Sequence, residues 1–305
     1  MDASPQPSTS IGPAAEKTAV IPVIGPSSRF SRDRRQRTPQ DKPPIQGQSQ
    51  SQGQTSAPTT GPTPTQILFD ITRQVVQILK EAGIGSALFG SLGTSLYGKQ
   101  RSPNDIDLLT FPPPDQNSDP ERIKQLIVTA NPDKFYLRDS VNPSATYKIL
   151  FYKLTRRQNP TRFFRRNSCK VDILIPGIMH LPSLHPNPER IIWIDGLPVL
   201  PFAVLLSQKL QAWDDHRNMS EETEPQKYAK RFVDKNDLGR MFKMEEHVRP
   251  LREASARPWN DRILFSEEFE TLCWSRARDF CSIFPEFKAR FLSIGLGEDT
   301  YDIFA

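Results

Sequence analysis

The sequence predicts an α+β protein: a mixed β-sheet backed by helices, followed by an all-α subdomain and preceded by a disordered N-terminal tail. Three observations carry this. Short apolar runs rich in β-branched and aromatic residues recur between residues 86 and 199, bounded by turn residues. Helical spacing of apolar residues dominates from residue 202 onward. The first 65 residues, dominated by Pro, Ser, Thr, Gln and Gly, have no periodic apolar face. The expected divisions are therefore 1–65 for the tail, 66–200 for the sheet domain and 201–305 for the helical subdomain.

The tail holds the low-complexity run GQSQSQGQTSAPTTGPTPT and a large share of the 29 prolines, so it cannot bury enough apolar surface to offset chain entropy. Within it, residues 29–37 (RFSRDRRQR) form a basic cluster. Two readings stay open for this cluster: a nuclear import signal or nucleic-acid contact, and a solvated charge run. The net charge of +5 permits binding of a polyanion without demanding it. No apolar stretch approaches a membrane span, and the N-terminus lacks the apolar core of a secretory signal, which predicts a soluble intracellular protein, cytoplasmic or nuclear. Cys169, Cys273 and Cys281 have neither metal-ligand spacing nor nearby histidines, so no disulfide and no zinc site are expected.

Residues 65–83 (TQILFDITRQVVQILKEAG) read as an amphipathic helix stopped by Gly83. Ala87-Leu88-Phe89 follows as a strand, breaks at Gly90-Ser91 and continues into a short segment ending at Gly98, as strand, turn and helix would. In Asn104-Asp105-Ile106-Asp107-Leu108-Leu109 the acidic and apolar residues alternate, so on a strand Asp105 and Asp107 share one face while Ile106 and Leu108 meet the core. Two carboxylates on one face repel unless a cation lies between them. A hard divalent ion such as Mg2+ takes oxygen ligands and keeps positions open for phosphate and water, which makes the pair a metal platform in search of a third acid. After a Pro-rich loop at Pro112–Pro120, a helix over Glu121–Thr129 and extended segments at Phe135–Leu137 and Tyr147–Leu154, the run Cys169–Ile175 supplies one. There Asp172 is a single carboxylate in an apolar, β-branched strand, where an unpaired charge would be costly.

Gly90, Ser91, Asp105, Asp107 and Asp172 stand in the order found in the polymerase-β-like nucleotidyltransferase superfamily, which this stretch resembles. The pattern is an apolar residue, Gly, Gly or Ser, a spacer, Asp-x-Asp and a third carboxylate on a later strand. The resemblance implies that Asp105, Asp107 and Asp172 hold Mg2+ or Mn2+, with Asp172 also helping to deprotonate an acceptor hydroxyl. It further implies that Gly90 allows close backbone approach and that Ser91 with neighbouring amides holds the terminal phosphates of a nucleoside triphosphate.

Beyond the sheet motif, Ile191–Val199 reads as a hairpin turning at Asp195-Gly196, followed by helices over Phe202–His216 and Pro225–Phe242 and helical segments at 245–256 and 266–292. Lys209 in KLQAW, followed by KRFVDKNDL with Asp234 and Asp237, is similar to the abortive-infection toxin branch of the superfamily. That similarity implies a Lys209 that reaches back to neutralise phosphate, the competing reading being a lysine snorkelling at the surface. Asp234 and Asp237 fit helix packing through Lys or Arg pairs better than substrate contact. The loop 153–170 (KLTRRQNPTRFFRRNSCK) carries seven basic residues around Phe163 and Phe164. It suits a single-stranded RNA acceptor, charges for phosphates and rings for bases, or else is an exposed hairpin loop with solvated charges.

The expected function is metal-dependent transfer of a nucleoside monophosphate from a nucleoside triphosphate to the hydroxyl of an RNA end, protein or small molecule. The alternative is a catalytically silent module that binds nucleotide or RNA on the same fold. One test follows from the composition alone: removal of residues 1–60 leaves the thermal midpoint of the remaining chain unchanged, and loss of soluble protein on that truncation would contradict the tail boundary.

Overall fold

The computed structural model describes residues 62–98, 100–114, 116, 119–140, 145–159, 163–164, 167–185, 187–253 and 257–297. The predicted tail up to residue 61, with its basic cluster, lies outside them, as do Arg162, Arg165 and Arg166 of the basic loop. Helix α1 spans Pro64–Glu81. It starts where the chain supplies a reciprocal cap: the Thr63 hydroxyl accepts from the Gln66 amide while the Gln66 side chain accepts from the Thr63 amide, with Pro64 at the first helical position. Ile67, Leu68, Ile71, Val75 and Leu79 form its buried stripe. The helix stops ahead of Gly83, and the Ile84 amide turns back to the Leu79 carbonyl at 2.9 Å, closing the C-terminus before the first strand.

Seven strands form one mixed sheet in the order β3-β4-β5-β2-β1-β7-β6. They are β1 Gly85–Phe89, β2 Asp105–Phe111, β3 Phe135–Asp139, β4 Lys148–Lys153, β5 Ser168–Leu174, β6 Ile192–Ile194 and β7 Leu197–Val199. Helix α2 (Gly90–Tyr97) links β1 to β2, and α3 (Pro120–Ala130) follows β2. Neighbours β1 and β2 are antiparallel, whereas β2 and β5, separated in sequence by α3, β3 and β4, pair in parallel at the centre. The expected hairpin at Asp195-Gly196 is present as β6 and β7, and β7 joins β1 in parallel through Leu88 and Val199. Leu88, Ile106, Leu108, Leu150, Val171 and Val199 are fully buried in the sheet's apolar layer.

The C-terminal part is helical: α4 Phe202–Arg217, α5 Pro225–Tyr228, α6 Lys230–Met241, α7 Glu245–Arg252, α8 Glu267–Ile283 and α9 Lys288–Ser293. Two expected helices divide. The Pro225–Phe242 segment breaks at Ala229 into α5 and α6, and the 266–292 segment breaks at Phe284-Pro285, where proline biases its predecessor toward extended backbone and Phe284 has φ −125° and ψ 74°. Helix α4 departs more from its sequence reading. The sequence spacing sets Leu205, Leu206, Lys209, Leu210 and Trp213 on or near one face, yet Ala203, Ser207, Gln208 and Gln211 are buried as well, because α6 and α8 both pack against the helix. Trp213 meets Phe280 of α8 edge-on at 4.8 Å. Among the described residues no helix is long and apolar enough to cross a membrane.

Candidate active site

Strand alternation builds the acidic face. Ile106 and Leu108 are fully buried on one side of β2, so Asp105 and Asp107 emerge half-buried on the other. In β5 the same alternation buries Cys169, Val171 and Ile173 and turns out Lys170 and Asp172. Parallel pairing then sets Asp107 opposite Asp172 and Asp105 opposite Lys170. One carboxylate oxygen from each of Asp105, Asp107 and Asp172 lies within 4.8 Å of the other two, a spacing that a divalent ion with oxygen ligands can bridge.

This crowding has an electrostatic signature. Burial, followed by the charges of Asp105 and Asp172, holds the Asp107 carboxyl well above its ordinary range. Asp172 is raised too, again chiefly by burial, although the Lys170 ammonium at 2.6 Å works in the opposite direction. Burial alone would lower Lys170, but Asp172 and the other two carboxylates outweigh it and hold the ammonium above its usual value. The deficit of positive charge at this face is what a divalent cation would supply, so the residues present fit a metal site.

Gly90 is required here on two counts. Its φ of +64° lies in the left-handed region, and a Cβ at this position would fall 2.0 Å from Asp107 Oδ2. The backbone at the start of α2 is therefore pressed against the acidic face, with Ser91 next in line. Ser91 accepts a hydrogen bond from Arg101 Nη2 at 2.8 Å, and Arg101 Nε donates to Asp237 on α6 at 3.2 Å. Asp237 in turn holds Lys209 of α4 at 3.3 Å, Lys209 reaches Asp234 at 3.3 Å, and Asp234 pairs with His216 Nδ1 at 2.6 Å. The Asp234 carboxyl is pushed up by burial, but the His216 bond and the Lys209 charge win and hold it below its usual range.

The structure thus brings together Gly90, Asp105, Asp107 and Asp172, with Ser91 adjacent. Lys209 is neither surface-snorkelling nor free, since its side chain is only 10% exposed and bridges two aspartates, while its charge is felt at Asp107. Asp234 and Asp237 are packing acids, as their residue pattern suggested. Four further residues belong to the site and escaped sequence reasoning in that role: Lys170, Arg101, His216 and Lys230, the last drawn down by burial while facing the Asp105 charge. Of these only Lys170 had a signal, two positions before Asp172 and hence on the same strand face. In the basic loop, Phe164 is buried and clamped by Asn159, which donates to its carbonyl at 2.7 Å, so it is no stacking ring. Phe163 is 38% exposed, and Lys170 is an ion-pair partner of Asp172 rather than a loop cation.

Two outcomes test this geometry. Gly90→Ala should cost at least about 2 kcal/mol in denaturant unfolding, because the left-handed backbone and the Asp107 contact both oppose a methyl group; wild-type stability would remove the close approach. The raised carboxyls mean that the folded chain binds protons more tightly than the unfolded chain, so their contribution declines as pH rises from about 3.8, the usual Asp value, through their folded values. With chelator present, Asp107→Asn should therefore raise the midpoint near neutral pH and flatten its fall with pH, each kcal/mol appearing as roughly 2–4 °C. A lowered midpoint would contradict the like-charge crowding.

No family model matches the chain, and no curated protein matches it. Among solved structures, the chain is similar to an antigenic nucleotidyltransferase-like protein from Paracoccidioides brasiliensis, with 14% identity, 74% of this chain and 92% of that chain covered, and a TM-score of 0.49. It is also similar to JHP933 from Helicobacter pylori, with 13% identity, 81% and 86% of the two chains covered, and a TM-score of 0.39. What the chain can do chemically is decided by its own side chains.

Proposed function

We propose that this chain is a metal-dependent nucleotidyltransferase, transferring a nucleoside monophosphate from a nucleoside triphosphate to an acceptor hydroxyl with release of pyrophosphate. The observation that supports it most is the convergence of Asp105, Asp107 and Asp172 within 4.8 Å, beside the Gly90-Ser91 turn that opens α2. Asp105, Asp107 and Asp172 would hold Mg2+ or Mn2+, which supplies charge stabilisation for the attacking and leaving oxygens. The protein's own part is positioning. Ser91 and the first amides of α2 bind the terminal phosphates, Arg101 orients the Ser91 hydroxyl, and Lys209 contributes positive potential from behind. Asp172 accepts the proton of the acceptor hydroxyl as its oxygen bonds to the α-phosphorus and the bond to pyrophosphate breaks. Within this reading the chain sits with the abortive-infection toxin branch, supported by Lys209 bridging Asp234 and Asp237.

Incubation of the full chain with each labelled nucleoside triphosphate, Mg2+ or Mn2+, and RNA, protein or small hydroxyl acceptors should yield labelled product. Asp105→Asn should fold normally and lose product on the order of a hundredfold or more. Millimolar metal should raise the wild-type thermal midpoint and leave that of Asp107→Ala unmoved. Nucleotide binding without any product across all acceptors would favour the silent binding module.

A further inference from the structure

The face of α6 turned away from the carboxylates has a character of its own. Asp234, Asp237, Leu238 and Met241 form the buried side of this helix, whereas Phe232, Asn236 and Gly239, spaced i, i+4, i+7, run along the outer side. There the helix and residues 286–290 border an open groove of about 400 Å3. Its walls carry Lys235, Arg240, Lys243 and Arg290 against a single acid, Glu286. Lys235 already neutralises Glu286 at 2.8 Å, and Arg240 uses one nitrogen on the buried Asp237. Among the described residues neither Lys243 nor Arg290 is in a direct ion pair; the Arg290 charge acts on Glu286 from farther off while its guanidinium lies 5.2 Å from the Phe287 ring centre, so the groove keeps an excess of positive charge. One turn before Asn236, Phe232 is 50% exposed, with the Arg231 guanidinium 4.3 Å from its ring centre.

We propose that this groove binds the backbone of a single-stranded nucleic acid. Its cations line an open, shallow concavity along which the phosphates of a strand can lie. Asn236 offers an amide beside the charges, and the exposed Phe232 ring, one helical turn before Asn236 on the same face of α6, gives a base a surface to stack on. The site lies on the opposite face of α6 from the carboxylates and does not depend on nucleotidyl transfer.

The test is fluorescence anisotropy of the full chain with a labelled, mixed-sequence single-stranded RNA, between about 50 and 200 mM salt. The two groove cations outside direct ion pairs, Lys243 and Arg290, contribute roughly −1.4 to the log–log salt slope of the wild type. Lys243→Glu with Arg290→Glu should weaken binding at least tenfold and make that slope shallower by about 1.4. A second variant guards against misfolding. A Cβ on Gly239 meets only ordinary contact with Phe287, at 3.5 Å, and Gly is unfavourable within a helix, so Gly239→Glu should fold, which its thermal midpoint checks, and adds a carboxylate to the groove lining. It too should weaken binding at least tenfold, while Lys80→Glu on α1 should not. Unchanged affinity in both groove variants overturns the proposal, as does an equal loss in Lys80→Glu. Preference of the wild type for phosphatidylserine vesicles or poly-glutamate over RNA overturns it as well. Asp105→Asn should bind RNA as the wild type does, so failure of the groove and failure of the carboxylate chemistry are read separately.

Discussion

The parallel pairing of β2 with β5 is the constraint on which the rest of the site depends. It places Asp107 directly across from Asp172, with Asp105 one pleat away on the same face. Two unit charges at about 4 Å repel by about 1 kcal/mol in water and by about 4 kcal/mol at the effective dielectric near a protein surface. The sheet tolerates this because its other face is apolar. Ile106, Leu108, Val171 and Ile173 are buried together, and a slip of one residue would drive the carboxylates into the core and the aliphatic side chains out. Core burial therefore holds the acids in a position their own electrostatics oppose. Lys170, paired with Asp172, relieves part of the repulsion from within the same strand.

A second layer of charge ties this face to the helices. From Ser91 through Arg101, Asp237, Lys209 and Asp234 to His216, each group satisfies the next, and Asp237, Lys209 and Asp234 are almost wholly shielded from solvent. Such a chain is sensitive to the loss of a member, since removing one partner of a buried pair leaves the other charged and unpaired, at a cost of about 3–5 kcal/mol. It also joins the turn after β1 to α4 and α6, so the position of Ser91 is coupled to how those helices pack. Lys209 thus has a structural duty alongside its electrostatic one.

Helix α6 presents two unlike faces to its surroundings. The inner face gives Asp234 and Asp237 to the buried chain, and the outer face gives Lys235, Asn236 and Gly239 to the groove bordered by Phe287 and Arg290. Twelve residues with no pronounced apolar stripe can serve both, because the helix is held by ion pairs on one side and by Leu238 and Met241 rather than by a broad hydrophobic surface.

Much of this was legible in the chain. Alternation placed Asp105 and Asp107 on one strand face, the Gly90-Ser91 break located the turn, and the lone acid in CKVDILI marked Asp172 as needing company. Apolar spacing with the Gly83 stop, and the Asp195-Gly196 turn, located α1 and the last hairpin. These are local signals, written in spacings of two, three and four residues. The sequence could not say that β5 lies beside β2, that Arg101 reaches both Ser91 and Asp237, or that Lys209 is shared by two aspartates. It read α4 as one-sided although both sides are covered. Those features join residues between 10 and 136 positions apart, and only the packing of sheet against helices brings them into hydrogen-bond range. The sequence by itself determined which residues could carry the chemistry and on which face of each element they stand. The tertiary structure decided which of them meet, because strand order and helix docking are set by burial of the whole apolar core and not by any one segment's pattern.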